Sequence, residues 1–94
     1  MKRYELRFTP EASRLVACLP PETKRLIKAS LDEVTLDPFK GSELQRELSG
    51  FRSLKPKRFR VIYKVNEVES LIEVYYVGPR KDVYESFREL LGAI

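Results

Sequence analysis

The sequence predicts an α+β fold: one strand, a helical hairpin, a three-stranded antiparallel meander and a C-terminal helix, with a largely antiparallel sheet curled against the helices. Three observations lead there. Phe59, Val61, Tyr63 and Val65 alternate with Arg60, Ile62 and Lys64, the period of two that belongs to a strand with one buried and one wet face. Between residues 10 and 36 the apolar side chains recur at helical spacing instead, broken by Pro20-Pro21. Leu71 to Val77 is apolar except for Glu73, so both of its faces are covered and it lies inside the sheet.

Each element has its own start and stop signals. Tyr4, Leu6 and Phe8 alternate with charged residues, which makes residues 2 to 8 a strand. Thr9 then caps a helix that opens with Pro10 at its first position and carries Ala12, Leu15, Val16 and Leu19 inward. Cys18 falls at a small apolar position of this helix and reads as core packing. The second helix runs from Pro21 to Leu36 with Leu26, Ile27, Leu31 and Val34 on one stripe, and Asp37-Pro38 ends it. Phe39 to Gly50 is a polar connection that reads as loop or as a single helical turn from Ser42 to Leu48, with Leu44 and Leu48 in contact. Phe51 to Val65 forms a hairpin through Lys55–Arg58, and residues 66–70 form the next turn. Asp82, with Glu85 three residues on, caps a last helix whose apolar side carries Val83, Phe87, Leu90, Leu91 and Ile94. Phe39, Phe87, Leu91 and Ile94 are many large groups for the rim of a small domain, a surplus that a partner would cover.

The 94 residues make one domain, 1–94, with a single modest core. No window approaches the roughly 20 apolar residues of a membrane span, and Met1-Lys2-Arg3 leads into a strand pattern instead of an apolar leader, so the expected address is cytoplasmic and no membrane is involved. With no histidine and one cysteine, neither a metal site nor a cofactor is expected.

The net charge of +4 says only that an anionic partner is plausible, but the distribution is more informative. Phe51 to Lys64 contains no acid and carries Arg52, Lys55, Lys57, Arg58 and Arg60. A solvated hairpin usually mixes signs, so this run reads as phosphate-binding surface or, more plainly, as a basic turn. Arg80 and Lys81 follow at the end of the neighbouring strand and Tyr84 in the first turn of the last helix. In a meander these groups can surround one phosphate, next to a helix N-terminus. Aromatic and guanidinium groups around an anion suit single-stranded RNA, whose bases stack and whose phosphates take the planar fork. The plain alternatives are a solvated Arg60, an Arg80 that closes a strand and a Tyr84 packed on the core with its hydroxyl in water.

FRVIYKV, a short turn, an apolar strand and VGPRKDVYESF together resemble the RelE/ParE toxin superfamily, on its RelE side, over nearly the whole chain. The resemblance implies the RelE-like microbial RNase fold and a type II toxin that pairs with a cognate antitoxin. It implies a ribosome-dependent endoribonuclease (mRNA interferase) that cuts messenger RNA in the small-subunit decoding site, meeting DNA only through the antitoxin complex. Arg60 would stabilise the phosphate, Arg80 the developing charge or leaving oxygen, and Tyr84 would stack or handle a proton. Arg52 matches a basic position of the family, whereas the second base expected two residues on is Leu54, with Lys55 as a substitute. Lys55, Lys57, Arg58 and Lys81 would be RNA contacts, and the run Asp37-Pro38 to Leu44 resembles a scaffold motif of the family.

Such a nuclease needs no metal: the RNA's own 2′-hydroxyl attacks the phosphorus while the protein stabilises the anionic transition state and moves two protons. Without histidine, a lysine or tyrosine must move them, and surrounding cations shift such groups toward the deprotonated form. The rival expectation is a ParE-like toxin that binds and poisons DNA gyrase without cleaving RNA. A third is a toxin that keeps only antitoxin binding.

Overall fold

The structure, a computed structural model, describes residues 3–80 and 83–92. The elements are β1 (Glu5–Phe8), α1 (Pro10–Ala17), α2 (Pro21–Leu36), β2 (Ser42–Glu43), a 3₁₀ turn (Arg46–Leu48), β3 (Arg52–Leu54), β4 (Phe59–Asn66), β5 (Leu71–Pro79) and α3 (Val83–Gly92). The sheet order is β1-β5-β4-β3-β2. β1 runs parallel to β5 and every other pair is antiparallel. The α+β class and the meander β3-β4-β5 therefore stand as read from the sequence, and β5 lies inside the sheet.

The helix starts behave as the punctuation demands. The Ala12 N–H donates to Thr9 Oγ1 at 3.1 Å, and Pro10 occupies the first turn of α1 where no intrahelical donor is missed. Proline likewise opens α2, and the Asp37 N–H closes it onto the Glu33 carbonyl. No helix among the described residues is long and apolar enough to cross a membrane.

Two layers flank the sheet. On one face Leu54, Val61, Tyr63, Ile72 and Val74 pack with Ala12, Ile27, Leu31 and Val34 of α1 and α2. On the other, Ile62 packs with Leu48, Val83 and Phe87, ringed by Phe51, Tyr75, Tyr76 and Tyr84. The β4–β5 ladder holds a bulge: Tyr63 pairs with Val74 but Ile62 with Tyr76, leaving Tyr75 the extra residue. The bulge lets Val74 and Val77, three apart, share the first core.

Several expectations are corrected. The second face of β4 is not wet along its length, because Ile62 is fully buried under α3 and only its flanks, Arg60 and Lys64, reach water. The connection after α2 contributes a fifth strand, β2, paired with β3 at the sheet edge, and its helical turn is confined to Arg46–Leu48. Cys18 is exposed, since α1 ends at Ala17 and turns it outward. Phe87, expected at the rim, is fully buried. β1 spans Glu5–Phe8, shorter than expected, and Phe8 is exposed beside an edge. The Asp82 cap, Lys81 and Ile94 lie outside the described residues.

Candidate functional site

The pleat decides which basic residues can meet. Ser53 pairs with Ile62 and Ile62 with Tyr76, so these three form one cross-strand row on the α3 face. The next row on that face joins Arg60 to Gly78. Lys55, exposed and two residues on from Ser53, and Arg80, two on from Gly78, extend the same parity beyond the strand ends. The Arg80 N–H donates to the Arg58 carbonyl at 2.7 Å, which ties the end of β5 to the hairpin turn. Tyr84 comes over from the first turn of α3 and sets its hydroxyl 3.1 Å from Ser53 Oγ. Its hydroxyl is thus bonded to the sheet and not simply left in water.

The guanidinium of Arg60 is held by its own turn. Nη1 donates to the Phe59 carbonyl at 2.7 Å and to the Lys57 carbonyl at 3.2 Å. The turn closes by a bond from the Phe59 N–H to the Pro56 carbonyl at 3.0 Å. Lys57 takes φ +53°, a conformation that suits glycine and strains a residue with a Cβ. Lys57 and Arg58 line a shallow cleft of about 300 Å³ with Glu22, Thr23 and Leu26 at the start of α2.

Arg52 lies apart from this group. Its partner across the ladder is Tyr63, on the face of α1 and α2. Its Nη1 donates to the Gly41 carbonyl at 2.7 Å and to the Phe39 carbonyl at 3.3 Å, and its guanidinium lies 4.9 Å from the centre of the Phe39 ring. Beneath it the Tyr63 hydroxyl donates to the Pro38 carbonyl at 2.8 Å and accepts the Gly41 N–H at 2.9 Å. A Cβ at Gly41 would fall 2.6 Å from that hydroxyl oxygen, so only glycine fits. Burial raises the Tyr63 phenol above the ordinary tyrosine range, against the opposing effects of the Gly41 hydrogen bond and the Arg52 charge. Leu54, on the same face, is core.

Ser53, Tyr76 and Gly78 were not singled out from the sequence. Gly78 is a close-approach glycine: a Cβ there would meet the Tyr76 ring at 2.9 Å, so that ring lies along the strand beside the Arg60–Gly78 row. The available signal was parity counted across the turn, since Ser53 opposite Ile62 puts Ser53 and Lys55 in phase with Arg60 and leaves Arg52 and Leu54 out of phase. The α3 face thus brings together Arg60, Ser53 and Tyr84, with Lys55 and Arg80 at its margin. Cations and a phenol in that setting can bind a phosphodiester and act on its protons.

This fold and this basic face define a small toxin of the RelE/ParE superfamily. Residues 6–84 match the family described as "ParE toxin of type II toxin-antitoxin system, parDE", and the chain belongs to that family. It is 28% identical to Toxin RelG of Mycobacterium tuberculosis over 83 residues, 86% of this chain and 95% of the relative. The structure resembles the toxin–antitoxin complex RelBE2 of Mycobacterium tuberculosis with a TM-score of 0.76 at 26% identity, covering 83% of this chain and 99% of that one. It also resembles an arginine-substituted Escherichia coli toxin RelE in the free state, TM-score 0.77 at 22% identity, covering 98% of both chains; that likeness bears on the fold alone.

Proposed function

We propose that this toxin is a metal-independent, ribosome-dependent endoribonuclease that cleaves messenger RNA by attack of the 2′-hydroxyl on the adjacent phosphorus. The observation that carries the reading is the common face of Arg60 and Tyr84, with the end of β5 that carries Arg80 tied to the same hairpin. Arg60 and Arg80 stabilise the charge that develops on the phosphoryl oxygens, where a guanidinium fork is most effective. Tyr84 and Lys55 are the groups of this face that move the two protons. Lys57, Arg58 and Lys81 contact the RNA backbone outside the reacting phosphate. Arg52 belongs to the scaffold: its bonds to Phe39 and Gly41 fix the loop after α2 onto β3.

A cognate antitoxin covers the apolar surface that the fold leaves open. Leu6, Phe8, Val16, Ile27 and Leu31, rimmed by Lys24, Lys28 and Asp32, line a groove of about 320 Å³. It runs beside the free edge of β1, where an amphipathic helix or an added strand can dock.

The family match itself favours a second reading, a ParE-like toxin that poisons DNA gyrase through the same basic surface. Primer extension on translating ribosomes, run beside a gyrase supercoiling assay, decides between them. New codon-positioned cuts support the nuclease; inhibited supercoiling with intact messenger overturns it.

A further inference from the structure

We infer that Ser53 is a positioning residue that aims the Tyr84 hydroxyl into the site, an inference that rests on the nuclease reading. Three described polar residues are buried: Thr35, Ser53 and Ser70. Thr35 is committed to the end of its own helix, through the Asp32 carbonyl at 2.6 Å. Ser53, 2% exposed, has no such local use. Its bond to the Leu54 carbonyl is stretched to 3.5 Å, the limit of a hydrogen bond. Its well-formed partner is the Tyr84 hydroxyl at 3.1 Å, a side chain of another element.

The two ends of this bond are anchored very differently. Ser53 is paired on both sides, with Ser42 of β2 and Ile62 of β4, so its Oγ projects from a fixed backbone. Tyr84 rests on the second core through its ring. Ring packing sets the plane of a phenol but not the hydrogen bond its oxygen makes, and a half-buried tyrosine needs a polar partner for that oxygen. A serine hydroxyl is both donor and acceptor. It accepts from Tyr84 while the phenol holds its proton and turns to donate when the proton has left. Ser53 therefore follows Tyr84 through a proton transfer without the backbone moving.

The test is a cycle of variants assayed for cleavage on programmed ribosomes, with each variant's melting checked. Ser53→Ala lowers the turnover rate about tenfold, the effect of one lost neutral hydrogen bond, and leaves the half-saturating ribosome concentration within about twofold. Ser53→Thr, which keeps the hydroxyl, recovers most of the rate. With Tyr84→Phe already in place, Ser53→Ala has no further effect, because the bond is already gone. Equal losses from Ser53→Ala with and without Tyr84, or wild-type turnover in Ser53→Ala, overturn the proposal. A second readout is independent of cleavage: the ¹³Cζ resonance of Tyr84 in tyrosine-labelled protein, assigned through Tyr84→Phe, shifts on Ser53→Ala and returns with Ser53→Thr. If the wild-type protein cuts no messenger, the nuclease reading falls while this resonance still judges the bond; an unmoved resonance removes the bond itself.

Discussion

Each face of the sheet carries an arginine and a tyrosine, and the two pairs are spent differently. On the α1/α2 face Tyr63 is fully buried and bonds the loop after α2, while Arg52 reaches carbonyls 11 and 13 residues away in the chain. On the α3 face Arg60 bonds carbonyls only one and three residues away, and the half-buried Tyr84 meets one serine. Bonds that join distant segments hold the fold and are costly to release; bonds within one turn can be exchanged for a ligand's oxygens at the cost of that turn alone. Residue type did not distinguish the pairs, but the separation of their partners does.

The largest effect that sharpens this contrast is on the exchangeable side. Arg80→Lys keeps the charge but loses the planar fork, and cleavage on saturating ribosomes should fall about 10²-fold or more, as with Arg60→Ala, while melting barely changes. Undiminished cutting by Arg80→Lys would remove Arg80 from the transition state.

Next comes Tyr63→Phe, which strands the Gly41 N–H and should cost about 2 kcal/mol of stability at neutral pH. Because the folded phenol is held above its ordinary value, the native state keeps its proton longer than the unfolded chain does. Stability from this group is therefore complete below pH about 10 and lost as pH rises through the folded value. Alkaline melting curves of wild type and Tyr63→Phe should converge; a constant gap would contradict the assignment.

A smaller loss, about 1 kcal/mol, is expected for Arg52→Ala, which removes two carbonyl bonds and the stack on Phe39. Denaturant unfolding should record it, with cleavage per folded molecule preserved; a 10²-fold drop in cleavage would return Arg52 to the reacting site. Smallest of all, Lys57→Gly should stabilise by under about 1 kcal/mol by relieving the positive φ, and should weaken ribosome association chiefly at lower salt, where the lost charge is least screened.

How much of this was legible in the sequence follows the reach of local rules. Caps, prolines and periodicity located α1, α2 and the meander, because they act within a few residues. β2 escaped notice because two residues carry no period, and their strand state comes only from pairing with β3. The site was half legible. Arg60, Arg80 and Tyr84 stand out by type and motif, but that Ser53 and not Arg52 shares their face follows from the strand register, which closes through the strained turn at Lys57. That strain is a property of the folded hairpin, with no Asn-Gly signal to advertise it.

The bulge at Tyr75 has a consequence for how this chain tolerates changes in length. It works as a phase slip in the pleat: Leu71–Val74 keeps time with β1, and Tyr76–Pro79 keeps time with Arg60. Removing Tyr75 would merge the two halves into one regular strand with every facing preserved, at the expense of an edge-on contact with Phe51. Removing Tyr76 gives the same chain, since both residues are tyrosine, whereas removing Val77 would put the Tyr76 side chain in the place of Val77 on the α1/α2 core. One strand thus holds a slack residue: a codon dropped within the tyrosine pair leaves every facing intact, and one dropped beyond the pair does not.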